Sequence, residues 1–125
     1  MIYTNSLIYI EIHDSEIPWL KIFTHETHKE FSECSQDERM MIFNALDLIE
    51  KEMIRYFNPE KINMASFGNM LPRVHWHIMG RFHNDSYFPE PMWGAKQRVG
   101  DAKIAPMEPF IEELKAILAS RLVVS

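Results

Sequence analysis

Short apolar runs along the chain predict four β-strands. The first run is SLIYIEI (6–12), and a polar stretch ending in Pro18 separates it from the second, WLKIF (19–23). Because so few residues join these runs, an antiparallel pair is the simplest arrangement. KINMAS (61–66) and VHWHIMGRF (74–82) predict two more strands, with a turn-forming sequence between them.

Two other stretches have the spacing of amphipathic helices. Ser35 and Glu38 form the S-x-x-E capping box of a helix start, and Asn58-Pro59 predicts the end of that helix. Its buried face is predicted to carry Ile42, Phe43, Leu46, Ile49, Met53, Ile54 and Phe57. A second helix is predicted over PFIEELKAILASRL (109–122), with Pro109 at its first position and an apolar face formed by Phe110, Leu114, Ile117 and Leu118.

The order of these elements is strand, strand, helix, strand, strand, irregular arm, helix. It predicts an α+β fold in which a largely antiparallel sheet packs against one long helix, with a C-terminal helix besides. The 125 residues fit one domain, 1–125. A proline-rich stretch at about 83–108 is predicted to be an irregular arm, and loops of that length are usually functional or form part of an interface.

Composition and charge exclude several classes of protein. Hydrophobic residues make up 46% of the chain and charged residues 25%, which is typical of a globular protein. The formal charge of −5 argues against a binder of nucleic-acid polymers, because such proteins gain affinity from many basic contacts to phosphates. No apolar run approaches the roughly 18 residues of a membrane helix, and the first residues do not resemble a signal peptide. We therefore expect a cytoplasmic protein without a membrane partner.

The segment before the first helix offers little obvious chemistry. Its Cys34 is the single cysteine, so it cannot form an internal disulfide or a multi-cysteine zinc site, and we interpret it as a bystander. His25 and His28 lie in the same polar segment and are interpreted as solvated loop residues.

The most informative stretch is RVHWHIMGRF (73–82). Side chains alternate along a strand, so Arg73, His75 and His77 are predicted to line one open face, about 6.5–7 Å apart. The alternate positions are apolar and are predicted to face the helix and the core. Such a row of imidazoles held by a packed back side has the arrangement that a functional site needs.

Three interpretations of this row remain open on the residues alone. In the first, His75 and His77 bind a metal in a small-molecule enzyme, with a third ligand from His83, His13, Glu11 or Asp14. In the second, both histidines are hydrogen-bonded partners on a half-exposed sheet. In the third, one histidine is a nucleophile or general base and the other assists it, with nearby donors forming a phosphate site.

Upstream residues favour the third interpretation. Asn63, Gly68 and Asn69 precede the pair in the pattern N-x-x-x-x-G-N-x-x-x-R-x-H-x-H. This resembles the histidine triad (HIT) family of nucleotide hydrolases and transferases. The likeness covers roughly residues 5–95, and the sequence FPEPMWG is similar to the arm of the bacterial diadenosine tetraphosphate hydrolase-like branch.

The resemblance implies cleavage at the α-phosphorus of an adenosine phosphate derivative, a dinucleoside polyphosphate or a nucleoside phosphoramidate, through a covalent nucleotidyl-histidine intermediate. His75 would be the nucleophile, and His77 would stabilise charge on the phosphate. No cofactor and no metal is required. The implied substrate-binding residues are Glu11, with Asp14 as its rival for the ribose hydroxyls, and Asn63, Gly68, Asn69 and Arg73.

One departure from the family pattern matters for the chemistry. Arg73 stands where the first histidine of the triad is expected, and an arginine binds phosphate but cannot accept a proton. A nucleotide-binding protein without turnover is therefore a further alternative. The resemblance also implies a homodimer that pairs the long helices and sheet edges, with the irregular arm reaching toward the other subunit's site. Aromatic residues and methionine in that arm are consistent with an interface.

Overall fold

A five-stranded antiparallel sheet and two helices make up the fold, in a computed structural model that describes residues 1–122. The strands are β1 (Tyr3–Thr4), β2 (Ile8–Ile12), β3 (Trp19–Thr24), β4 (Lys61–Ala65) and β5 (His75–Arg81). They lie in the order β1-β2-β3-β5-β4. The helices are α1 (Gln36–Phe57) and α2 (Met107–Arg121). The predicted α+β class and the antiparallel sheet are confirmed.

Local signals in the sequence set the ends of α1. The Ser35 hydroxyl accepts from the amide of Glu38 at 3.0 Å, and the Glu38 carboxylate accepts from the amide of Ser35 at 2.7 Å. At the other end Asn58 adopts a left-handed conformation, with φ of 48°, and its amide donates to the carbonyl of Ile54. An Ala at a position like Ser35 costs a helix about 1 kcal/mol, so the predicted capping box stabilises α1 where it begins.

The core lies between the sheet and the two helices. Three adjacent strands contribute fully buried isoleucines, and α2 closes the same core with Phe110 and Leu114. Fully burying a side chain of this kind stabilises a protein by about 1.5–3 kcal/mol. The buried side chains of the sheet and α1 include Ile10, Ile22, Ile78, Ile42 and Ile49.

Three details of the predicted elements are wrong. The short strand β1 was not predicted, because two residues carry no detectable alternation. Phe43 and Ile54 do not join the buried face of α1, since their exposed fractions are 45% and 49%. Helix α2 begins at Met107, two residues before Pro109. Proline is tolerated throughout the first turn of a helix, where its missing N–H has no partner to lose.

The register between β3 and β5 positions the site. Phe23 lies opposite His75, and Lys21 lies opposite His77. On the other side of β5, Ala65 of β4 also lies opposite His77. Alternate residues of β3 therefore share a sheet face with the two histidines. Among the described residues, no helix is long and apolar enough to cross a membrane.

Candidate active site

His75 is held in one tautomer by the backbone. Its Nδ1 lies 2.9 Å from the carbonyl oxygen of Arg73. A carbonyl only accepts hydrogen bonds, so in the neutral ring Nδ1 carries the proton and Nε2 keeps a free lone pair. The imidazole also stacks on Phe23, with 5.3 Å between ring centroids and 15° between planes. His75 is thus an oriented ring that presents a nucleophilic nitrogen.

His77 is held in the opposite tautomer. The indole N–H of Trp19 donates to its Nδ1 at 3.0 Å, and both side chains are buried. Since Nδ1 accepts, the neutral ring carries its proton on Nε2. The two imidazoles lie 5.0 Å apart, centroid to centroid. The pair therefore offers one lone pair and one N–H donor side by side.

Burial keeps His77 neutral. It lowers the pKa of this imidazole to about 4, and the nearby charges of His75, Lys21 and His13 act in the same direction. At pH 7 the ring is therefore uncharged. A neutral imidazole can accept from Trp19 and donate from Nε2 at the same time, whereas an imidazolium would have no acceptor for the indole.

Aromatic side chains cover the histidine pair. Trp93, from the irregular arm, lies 4.8 Å from the His77 ring, 5.2 Å from Trp19 and 4.7 Å from Phe67, all between centroids. His75 and His77 are each only 8% exposed. The expectation of an open face is thus wrong for these two residues, because the arm folds over the sheet of its own chain.

A buried ion pair anchors that arm. Arg81, at the end of β5, binds the Asp85 carboxylate through two hydrogen bonds of 2.9 and 3.0 Å. Burial alone would raise the pKa of Asp85, but hydrogen bonds from Arg81 and from the amides of Phe82, Tyr87 and Phe88 outweigh it and lower the pKa to about 2. The carboxylate fixes the turn from which the arm starts.

Arg73 contributes to the site in two ways. Its carbonyl orients His75, while its guanidinium donates to the carbonyl of Thr24 and lies 5.6 Å from the centroid of the Phe23 ring. Nε of this guanidinium is buried and has no partner among the described residues. The positive charge is therefore held beside the ring on which His75 stacks.

The other predicted substrate-binding residues are only partly brought together. Glu11 lies opposite Lys21 in the strand register, and Lys21 in turn lies opposite His77, so all three belong to one row across the sheet. The side-chain oxygen of Asn63 accepts from Arg81 at 2.9 Å, and within residues 1–122 no hydrogen bond joins Asn63 to either histidine. Gly68 has φ of 71°, in the region that favours glycine, and the neighbouring Asn69 is exposed.

Among the residues that the structure describes, no cluster of three potential metal ligands includes the histidine pair. Within residues 1–122, the one group of three side chains that could hold a metal ion is His28, Cys34 and Glu38, which lies where the loop after β3 meets the first turn of α1. One member, His28, differs from the expectation that it is a solvated loop residue. Its ring nitrogen contacts the Glu38 carboxylate at 3.0 Å.

Three residues of β3 were missed as site residues. Trp19, Lys21 and Phe23 alternate along the strand, so they share one face. The alternation itself could have grouped them. Which strand lies next to β5 depends on the order of the sheet, and the apolar runs do not specify that order.

Comparison with known proteins gives a family match over about two thirds of the chain. Residues 2–84 match the HIT domain profile. The chain therefore belongs to the HIT, or histidine triad, family. A comparison with curated proteins gives no match.

Solved histidine triad proteins share the fold. One from Bradyrhizobium japonicum is 19% identical, with a TM-score of 0.72 over 98% of this chain and 89% of its own. One from Sinorhizobium meliloti is 27% identical, with a TM-score of 0.66 over 97% and 84%. One from Marinobacter aquaeolei is 23% identical, with a TM-score of 0.70 over 97% and 86%.

Proposed function

We propose that this protein is a nucleotide hydrolase or transferase that acts at the α-phosphorus of adenosine phosphate derivatives, with His75 as the nucleophile. The observation that carries the proposal is the hydrogen bond from Nδ1 of His75 to the carbonyl of Arg73, 2.9 Å long, which leaves Nε2 unprotonated. A neutral imidazole with its proton on Nδ1 already carries a lone pair on Nε2, so it needs no separate base to act as a nucleophile.

The proposed reaction has two steps. In the first, the Nε2 lone pair of His75 forms an N–P bond to the α-phosphorus, and the bond to the leaving group breaks with its electron pair departing on that group. In the second, water attacks the same phosphorus, the N–P electron pair returns to His75, and the water proton passes to solvent. The products are AMP and the leaving group, and the enzyme is regenerated.

Donors around His75 would stabilise the charge that develops on the phosphate. His77 offers its Nε2–H, because Trp19 occupies its other nitrogen. Lys21 lies opposite His77. Within residues 1–122 its ammonium donates no hydrogen bond and forms no ion pair. A preorganised donor at such a position is worth about 3–4 kcal/mol in the transition state.

Arg73 in place of the first triad histidine leaves the nucleophile intact. The contact that orients His75 comes from the backbone carbonyl at position 73, which any residue supplies. The side chain does remove one possible proton donor for the leaving group, since a guanidinium remains protonated at all relevant pH values and does not give up its proton. An amine leaving group needs a proton, whereas a phosphate leaving group departs as an anion. We therefore propose dinucleoside polyphosphates, such as diadenosine tetraphosphate, as the better substrates.

The ribose-binding acid is proposed to be Glu11. Its place in the row with Lys21 and His77 puts a carboxylate on the sheet face that carries the histidines. The rival, Asp14, follows the end of β2 in a loop. Glu11→Gln and Asp14→Asn separate the two, since only the residue that binds the ribose raises KM for the nucleotide when it is changed.

A homodimer is also proposed. Strand β4 is an edge strand, and no strand within residues 1–122 pairs with its outer side. Three exposed apolar side chains, Phe43, Ile54 and Met64, lie on α1 and β4. Sheet edges and exposed apolar patches are both sites where a second chain binds. A second copy would extend the sheet at β4 and cover these side chains.

The direct test is AMP release from diadenosine tetraphosphate and from an AMP amide. His75→Gly is expected to abolish release from both substrates, because glycine removes the nucleophile. The matched control is His83→Gly, which removes an exposed histidine that pairs with Glu60. Native rates in His75→Gly would overturn the nucleophile assignment.

One observation favours a second candidate, a nucleotide-binding protein without turnover. Position 73 lacks the histidine that completes the triad pattern. Calorimetry that shows nucleotide affinity in the native protein, together with no AMP product, would support this alternative over hydrolysis.

A further inference from the structure

The loop that joins β3 to α1, together with the first turn of α1, brings together three side chains of different chemistry. His28 Nε2 lies 3.0 and 3.1 Å from the two carboxylate oxygens of Glu38. The sulfur of Cys34 belongs to the same group, in which every potential ligand atom lies within 4.8 Å of the others. None of the three contacts the histidine pair of β5 in the described residues. The cluster is thus a separate feature of the molecule.

Helix capping accounts for Glu38, and the contact with Glu38 accounts for His28, but neither explains the thiol of Cys34. Cys34 is only 4% exposed, and no hydrogen bond to its sulfur occurs within residues 1–122. Its backbone is already satisfied, since its amide donates to Phe31 and its carbonyl accepts from Arg39. A buried thiol without a partner therefore faces an imidazole and a carboxylate.

One oxygen of the Glu38 carboxylate takes no part in the helix cap. Oε1 accepts from the amide of Ser35 at 2.7 Å and so caps α1, whereas within residues 1–122 the hydrogen-bond partner of Oε2 is His28 only. A ligand can bind at Oε2 without loss of the cap. The amide of Ser35 would then serve as the outer hydrogen bond that orients a ligating carboxylate.

We propose that His28, Cys34 and Glu38 bind a divalent ion of the zinc class. Imidazole nitrogen, thiolate sulfur and carboxylate oxygen are the three ligand types that zinc takes in proteins. Zinc–ligand distances of about 2.0–2.3 Å place tetrahedral ligands about 3.3–3.6 Å apart. The N–O separations of 3.0 and 3.1 Å, and the 4.8 Å limit for the group, need only small side-chain shifts to reach that geometry.

The fourth position also has a candidate ligand. Glu26 lies 4.0 Å from His28 Nε2, and its side chain is 79% exposed, so it is free to swing inward. Binding would form bonds from the metal to nitrogen, sulfur and oxygen, while the thiol proton of Cys34 passes to solvent. The ion would then fix the loop over residues 26–35 to the first turn of α1.

That loop contacts the strand of the nucleophile. The amide of Val74, one residue before His75, donates to the carbonyl of His28 at 2.8 Å. A metal at this loop would therefore hold the backbone next to His75 without touching the substrate. Its role is structural, and it holds whether or not the protein hydrolyses nucleotides.

The test is metal binding by the chelator-treated full chain. We expect one Zn²⁺ per chain in competition with a chromophoric chelator, a rise in Tm with added Zn²⁺, and thiolate-to-metal charge-transfer absorption with Co²⁺. Cys34→Ser should remove the absorption and weaken binding at least about tenfold, because even the loss of an outer partner costs a metal site 10- to 100-fold.

The matched control is His83→Gln. His83 forms a histidine–carboxylate pair with Glu60 at the same 3.0 Å separation but without a thiol. This variant should bind Zn²⁺ as the native chain does. No charge-transfer absorption in the native protein, equal affinity in Cys34→Ser, or metal binding that is lost in His75→Gly instead would each overturn the proposal.

Discussion

Opposite tautomers of His75 and His77 are the central feature at the scale of single residues. The carbonyl of Arg73 fixes one ring, and the indole of Trp19 fixes the other. Which of the two nitrogens in each ring is free follows from these two contacts. The pattern H-x-H in the sequence predicted a reactive pair, but the partner of His77 comes from a strand more than fifty residues away and has no signal in that motif.

Trp19→Phe should lower kcat for AMP release by about 10- to 100-fold. The change leaves Nδ1 of His77 buried without a donor, a loss of about 1–3 kcal/mol, and frees the ring to place its proton on the wrong nitrogen. Steady-state kinetics and ¹⁵N NMR of the His77 ring measure both effects.

Trp93→Phe is the matched control for that variant. It also removes an indole N–H, but Trp93 contacts His77 through its ring. Equal losses of kcat in the two variants would show that aromatic packing, rather than the hydrogen bond, supports His77.

The titration of His77 gives a second prediction at this scale. Its pKa in the folded protein is about 4, chiefly because it is buried, against about 6.5 in an unfolded chain. The unfolded state therefore binds more protons between these pH values. The stability that His77 contributes is complete above about pH 6.5 and is lost as the pH falls toward 4.

NMR titration of the ring measures this pKa directly. Lys21→Met should raise it, since the positive charge of Lys21 contributes to the lowering. Lys29→Met, a change in the exposed loop before α1, should leave it where it is. A native His77 that titrates near pH 6.5 would contradict the buried, neutral imidazole.

Elements differ in how well the sequence predicts them. The start and the end of helix α1 were predicted correctly. The contacts that set them, made by Ser35, Glu38 and Asn58, join residues only three or four positions apart in the sequence. The irregular arm was predicted as irregular, but its position over the histidines was not. That position depends on the ion pair of Arg81 and Asp85. In the sequence these are only a polar residue at the end of a strand and another in a loop, and nothing marks them as a buried pair.

Asp85→Asn should destabilise the protein by about 3–5 kcal/mol. It leaves the buried guanidinium of Arg81 without its charged partner. Because hydrogen bonds lower the pKa of Asp85 to about 2, its contribution to stability is present above the ordinary pKa near 4 and is lost as the pH falls through 2. Urea unfolding at pH 7 measures the free energy.

Hydrogen exchange in the arm tests the same contact locally. Amides of residues 86–94 should lose protection in Asp85→Asn and keep it in Asp101→Asn, a matched change at an exposed aspartate of the arm. Unchanged protection in Asp85→Asn would show that the ion pair does not anchor the arm.

At the scale of the whole molecule, the sequence predicts the fold class better than it predicts the strand order and the buried face of α1. Alternating strands and one capped helix sufficed for the α+β fold, because both periodicities are local. The order β1-β2-β3-β5-β4 was not predicted, since it depends on contacts between distant parts of the chain. The exposed side chains Phe43 and Ile54 were placed in the core for the same reason.

Those two side chains give a prediction for the assembly. Ile54→Glu should convert the proposed homodimer to a monomer, because it places a charge on the exposed apolar surface of α1 that the second copy is proposed to cover. Analytical ultracentrifugation measures the molecular mass. Val99→Glu changes a more exposed apolar residue, in the arm, and should leave the mass unchanged. A native protein that sediments as a monomer of 14.8 kDa would contradict the dimer.

The central claim is that His75 becomes covalently linked to the nucleotide. Rapid acid-free quenching of the protein with diadenosine tetraphosphate, followed by peptide mass spectrometry, tests it directly. We expect one adenylyl group on the peptide that contains His75, and none in His75→Gly. AMP formation by the native protein without any adenylylated His75, under conditions that trap the intermediate in a known HIT hydrolase, would contradict the account.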